Sequence, residues 1–344
     1  MKMTKLWYAP LLLAGGMLIA GPAINSAAAV ECKTMRNMNI GVAVSPPNVV
    51  HTTPYVAKEL GYFKKHCLDV CIIQFEGGSS PAAKAAAAQG TALVPVTPVA
   101  IGRGVKVRQI WGLAPRLPQS YMVSADIKTA KDLKGKKLSA VGGGVGGFNW
   151  IMGRQVLLSA GLKVDDVQFI AGATAGRLPG LVSGQINGVS LHPESVFLAK
   201  QKNPGLHVLV QLANLMPDFY YNAYGGQIAW IEHNHDMMVD AVAAMIEASR
   251  TIYKDEAKVV PIIMKATGRP KDAVEYAWKT LTDNCVWTVN TGYDAKRTAW
   301  TIQHDFDVGY IKKKPTVEQV FNPDIANEAV KKLGGPIKIG KCTQ

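Results

Sequence analysis

The chain has 344 residues, 38 Lys+Arg against 25 Asp+Glu, a formal net charge of +13, and 48% hydrophobic residues. High apolar content with no short repeat excludes a disordered, collagen-like or coiled-coil chain, and the length suits about two domains with cores of their own. The basic excess leaves nucleic acid, an anionic membrane and a small anionic ligand as candidate partners.

The first segment, 1–29, reads as a cleaved secretory signal. Lys2 and Lys5 precede a short apolar stretch over 11–20, and Ala27-Ala28-Ala29 supplies the small residues that signal peptidase needs. Gly15, Gly16, Gly21 and Pro22 interrupt the apolar run, which falls short of the ~20 residues of a bilayer span. A soluble exported protein is expected, and export argues against a nucleic-acid partner. All five cysteines, Cys32, Cys67, Cys71, Cys285 and Cys342, follow this segment. In an oxidising compartment that odd number allows at most two bridges and leaves one thiol. Cys285 and Cys342 are placed to tie down the tail, and Cys32 to pair with Cys67 or Cys71. No cofactor and no metal is expected.

After the signal, short apolar strands alternate with helices. A strand over 39–44 ends at Ser45-Pro46-Pro47, and a helix over 51–60 follows, with Thr52 or Thr53 as cap and Pro54 in its first turn. Strands over 69–75, 92–96 and 106–111 enclose an alanine-rich helix over 82–88. The rhythm then restarts with a helix over 128–134 and a strand over 137–141. The glycine run over 142–147 opens into a helix over 148–160. A strand over 167–170, a helix over 177–183 and strands over 186–191 and 208–212 complete this second unit. Amphipathic helices are predicted over 239–253, 258–266, 271–280 and 295–311. The βαβ rhythm implies α/β architecture with parallel sheets, whose ligands sit at the carboxyl ends of the strands. Segments near 116–122 and 216–229, rich in Pro, Gly or aromatics, are expected to cross between the two units and form a hinge.

Several phrases resemble one family. Tyr55 to His66 with Leu68-Asp69-Val70 is similar to the "aKeLGyFkkhgLdV" segment of periplasmic solute-binding proteins of ABC importers of the nitrate/sulfonate/taurine type. That family also includes binders of pyrimidine thiamine precursors and aromatic carboxylates. Gly77 to Ser80, Asp132 to Lys137, Leu181 to Gly188 and Pro315 to Phe321 resemble further phrases of it, in the right order. Cys67, Cys71 and Asn187 depart from its usual residues. The resemblance implies two doubly wound sheets joined by a double crossover, the type II binding-protein fold. Lobe 1 would comprise 30–117 plus 225–344, and lobe 2 118–224. It further implies a periplasmic location, a membrane permease as partner, a monomer, and a small anionic solute (a sulfonate, an aromatic or other carboxylate, or nitrate), with a neutral pyrimidine-like thiamine precursor as the alternative.

Candidate ligand contacts follow from strand ends. In lobe 1, Ser45, His51, Thr52 and Thr97 lie just past strands, where capping is the alternative role. Gly78, Ser79 and Ser80 precede the alanine-rich helix and offer hydroxyl and backbone donors. Gly146, Gly147, Phe148 and Asn149 form a strand-to-helix turn whose free N–H groups suit an anion. His192 follows a strand of lobe 2; Glu194 is the weaker choice there, because a buried carboxylate opposes an anion unless protonated or paired with Arg. Arg116 in the first crossover suits a bidentate clamp, with Arg154 and Arg177 as alternatives. Tyr221 in the return crossover is placed to stack on an aromatic ligand, with packing of the hinge as the alternative role. No nucleophile–base–orienter set is visible, so an exported enzyme and a receptor-linked sensor are the alternative readings. His233-Asn234-His235-Asp236 reads as a solvated turn rather than a metal site.

Overall fold

The computed structural model describes residues 32–75, 79, 92–141 and 144–344. The signal segment, the helix expected over 82–88, and Gly78, Ser80, Gly142 and Gly143 lie outside the described residues. In chain order the strands are β1 Arg36–Val42, β2 Leu68–Gln74, β3 Ala92–Val96, β4 Val107–Ala114, β5 Ser120–Val123, β6 Lys137–Ser139, β7 Gln168–Ile170, β8 Gly188–Leu191, β9 His207–Gln211 and β10 Asn222–Gln227. They form two five-stranded sheets, ordered β2-β1-β3-β10-β4 and β7-β6-β8-β5-β9. This is the two-lobed α/β fold.

The sheets are mixed rather than wholly parallel, and the two crossover segments contain the odd strands. β10 runs antiparallel to both β3 and β4, and β5 antiparallel to both β8 and β9. The cause is geometric. Parallel strands of both sheets point their carboxyl ends at the space between the lobes, so a chain crossing that space must run away from it on arrival. Each crossing therefore deposits one reversed strand. β10 is wedged so closely against β4 that a Cβ on Gly225 would sit 1.9 Å from the Arg108 carbonyl oxygen.

Each sheet has its own core. Ile40, Leu68, Leu93, Ile110 and Trp111 pack with Met238, Val242, Met245 and Ile252 from the apolar face of helix His235–Lys254. Tyr121, Leu138, Met152, Val156, Leu157 and Leu212 form the second core. Asp255 and Asp294 cap the helices Glu256–Thr267 and Ala295–Asp307 by accepting from the Lys258 and Arg297 amides. Trp111 donates to the Asn290 carbonyl at 3.0 Å and Trp287 to the Val50 carbonyl at 2.9 Å, tying the C-terminal part to the first sheet.

Disulfides join Cys32 to Cys67 and Cys285 to Cys342, and Cys71 is a free, exposed thiol. Of the two partners open to Cys32, Cys67 is taken because it sits in the turn before β2, its carbonyl accepting from the Arg36 amide at the start of β1. Cys71 lies two turns of the pleat further, with its side chain outward. Beside this bridge, Asp240 accepts from Arg36 and Lys332, and His66 stands between Asp240 at 3.6 Å and Glu247 at 3.2 Å.

Candidate functional site

After β1 the chain passes a cis Ser45–Pro46 peptide and, following Asn48, turns through Val49–His51. This turn stands at the carboxyl end of β1 and carries His51 into the space between the lobes. From the other lobe β8 leads into His192, which precedes helix Pro193–Lys202 without capping it through its side chain; Pro193 presets the first turn and Glu194 follows. Tyr221 reaches the same point from the return crossing. His51 and His192 are 3% exposed, Asn48 is 2% and Glu194 is 0%.

The rings converge. Tyr221 Oη lies 3.0 Å from His51 Nε2 and 3.4 Å from His192 Nε2, and the imidazole centroids are 5.5 Å apart. Phe148 meets Tyr221 edge-on at 5.6 Å. Gln119 Nε2 donates to His192 Nε2 at 3.2 Å, which leaves the His192 proton on Nδ1. Asn48 Nδ2 donates to Glu194 Oε1 across the lobes at 2.8 Å, with the Val49 amide at 3.4 Å. Arg177 Nη2 donates to Asn48 Oδ1 at 3.4 Å, while its Nε donates to the Thr174 carbonyl.

Burial sets the protonation. It pushes the His51 pKa down to about 3, the charge of Arg177 adding to the effect. His192 is lowered well below its usual value by burial, then by His51, Arg177 and Arg269. Burial raises the Tyr221 hydroxyl. Both imidazoles are therefore neutral at physiological pH, each a donor on one nitrogen and an acceptor on the other. Four buried polar atoms here have no hydrogen-bond partner among the described residues: His51 Nδ1, His192 Nδ1, Gln119 Oε1 and Glu194 Oε2. Native interiors rarely leave such atoms unmet, so a cluster of four points to something that meets them.

The structure brings His51, His192, Tyr221 and Phe148 together from the expected set. Thr52 is adjacent but its hydroxyl donates to the Val49 carbonyl at 2.7 Å. Thr97 caps helix Pro98–Gly102 by accepting from the Ala100 amide. Ser45 donates to Gln74 at 2.8 Å on an exposed edge. Asn149 is buried and occupied, donating to the Val141 carbonyl and accepting from Ser190. Gly147 caps the helix Phe148–Ser159, and Gly146 takes a left-handed turn at φ 83° before it. Arg116 is exposed, and Ser79 is a half-buried helical residue. Asn48, Gln119 and the Arg177–Glu194 neighbourhood are the residues that strand-end reasoning undervalued. Among the described residues no group of three or more His, Cys, Asp or Glu is arranged to hold a metal ion.

A family model described as NMT1/THI5 like matches residues 48–258, a span that includes every member of this cluster. The chain belongs to the NMT1/THI5-like family. No curated protein matches it. Solved structures similar to this NMT1/THI5-like chain share its fold at low identity. The alkanesulfonate-binding protein SsuA from Xanthomonas axonopodis pv. citri, bound to MOPS, is 13% identical with a TM-score of 0.67, covering 84% of this chain and 99% of its own. The periplasmic nitrate-binding protein NrtA from Synechocystis PCC 6803 is 14% identical with a TM-score of 0.64, covering 87% and 89%. The desulfurization enzyme DSZB is 14% identical with a TM-score of 0.62, covering 86% and 99%. No helix among the described residues is long and apolar enough to cross a membrane.

Proposed function

We propose that this chain is the periplasmic solute-binding component of an ABC importer, taking a small flat solute between its lobes and presenting it to a membrane permease. The observation that carries this is the meeting of His51 and Asn48 from one lobe with His192 and Glu194 from the other, around Tyr221. Residues from both lobes on one ligand make closure the bound state, so binding shifts a pre-existing open–closed equilibrium without a covalent step.

The same cluster selects among solute classes. Among the described residues Glu194 Oε2 and Gln119 Oε1 are acceptors without donors, and each neutral imidazole offers its Nδ1 alone, protonated in His192, because its Nε2 is engaged by Tyr221 or Gln119. Aromatic rings wall the site. A nitrogen heterocycle bearing N–H donors meets these groups, uncharged or with its charges balanced. Nitrate or a simple sulfonate would face the Glu194 carboxylate, with Arg177 as partial offset. This favours the pyrimidine-like class over the plain anion. A thermal-shift panel of aminopyrimidines, aromatic carboxylates, sulfonates and nitrate tests it, because a bound solute at a hundredfold excess over Kd stabilises by about 2.7 kcal/mol. Stabilisation by aminopyrimidines, lost in His192→Ala, is expected. Stabilisation by nitrate or sulfonates alone would overturn the solute class, and chemical conversion of a stabilising compound would favour the exported-enzyme reading.

A further inference from the structure

A recess of about 390 Å³ opens at the other end of the first sheet. It is formed where β4 begins and β10 ends, and the cluster around His51 lies instead at the carboxyl end of the parallel strands. Its floor is apolar, with Ile101, Val105, Val107 and Ile228. Its rim is cationic, carrying Lys106, Arg108, Lys313 and Lys314, and no Asp or Glu is among its lining residues. Lys314 donates to Gln303 and lies 5.1 Å over the Phe306 ring, so its charge borders the recess from one side. Lys106, Arg108 and Lys313 make no ion pair among the described residues, and the Nε of Arg108 is buried without a hydrogen-bond partner. Arg108 also borders a smaller hollow of about 100 Å³ whose wall includes Glu232 and Asp324, neither within ion-pair distance of it.

We propose that this recess is a binding site for a small organic anion with an apolar body. Lys106, Arg108 and Lys313 bring three positive charges to one rim with no carboxylate among its lining residues, and an anionic group seated there meets them with charge-assisted hydrogen bonds. The apolar floor then takes the remainder of the molecule. The volume falls within the roughly 300–1,000 Å³ of small-ligand sites. Because the recess shares no residue with the cluster around His51, its ligand binds independently of the transported solute.

Calorimetric titration of the purified chain with 1-naphthoate, and with the neutral 1-naphthamide, tests the site. Saturable naphthoate binding that weakens at high salt is expected. It falls by about tenfold or more in Arg108→Gln and in Lys313→Gln, a change of about 1.4 kcal/mol per tenfold, and persists in His192→Ala. Lys313 is exposed, so its variant keeps the test valid should Arg108→Gln fail to fold. Equal binding of naphthamide would reduce the recess to an apolar hollow. Naphthoate binding lost in His192→Ala but kept in Arg108→Gln, or no saturable binding, would overturn the proposal.

Discussion

Protonating either buried imidazole would place a cation in a dry space beside Arg177, and that shapes the acid response of the molecule. For His51 the folded pKa of about 3 lies below the unfolded value of 6.5, and His192 is shifted the same way. As pH falls below ~6.5 the unfolded chain takes up these protons first, so each histidine's stabilising contribution is full above that pH and declines below it, by up to ~1.4 kcal/mol per pH unit. His66 has the opposite sign: Asp240 and Glu247 raise its pKa despite the opposing effect of burial, so its contribution is present at low pH and lost as pH rises through the raised value. Urea midpoints measured between about pH 7.5 and 5.5 should fall less steeply in His51→Gln and His192→Gln, and more steeply in His66→Gln. An unchanged slope in His192→Gln would refute the neutral-imidazole account. Asn48→Ala strips Glu194 of its 2.8 Å donor, with an expected loss of ~1–3 kcal/mol in the same measurement. His192 was legible in the sequence because it directly follows a strand end, Tyr221 because it occupies a crossing, and His51 because it lies in the loop beyond β1. Asn48 and Glu194 were not, since their significance is a hydrogen bond spanning 146 positions.

Among the elements, the parallel strands and most helices announce themselves through short apolar runs and 3.6-residue periodicity. The reversed strands do not. β5 is only four residues long and follows Pro115 and Pro118, and β10 contains Gly225 and Gly226, which have poor strand propensity. Tertiary insertion holds both in place, β10 by the near-contact of its backbone with β4. The C-terminal elements depend on a covalent tie as well. The Cys285–Cys342 bridge spans 57 positions, and replacing both cysteines by serine should cost about 4 kcal/mol by the chain-entropy account, seen as a lower urea midpoint without loss of far-ultraviolet dichroism in buffer. Maleimide treatment of the native chain should label Cys71 alone, and mass spectrometry of peptides checks that directly. Two or more labels would mean that one bridge does not form.

At the scale of the whole molecule, the lobes meet along two seams flanking the central cluster. On one, Phe197 faces Tyr276 at 5.3 Å and Gln201 donates to Asp272 at 3.0 Å; on the other, Trp150 meets Tyr310 at 5.9 Å and Gln155 lies 2.6 Å from His304. Tyr276 is 43% exposed, so Tyr276→Ala should leave both cores intact while weakening the shut form. Small-angle scattering is expected to show a larger radius of gyration, and solute affinity falls in proportion to the lost shut population. An unchanged radius with unchanged affinity would show that this seam does not govern closure. The placement of β10 between β3 and β4 has a separate consequence, for the order in which the molecule can be built. A chain emerging N-terminus first presents β1 to β4 early, yet the strand that joins β3 to β4 arrives only after β5 to β9 have passed. The second sheet, drawn wholly from 120–211, can assemble as soon as it emerges, whereas the first must wait unfinished with its edge strand β4 unjoined. A chain of this design carries a half-built sheet until that strand arrives, and the stretch through Gln227 is the shortest nascent length at which β4 is joined to β3.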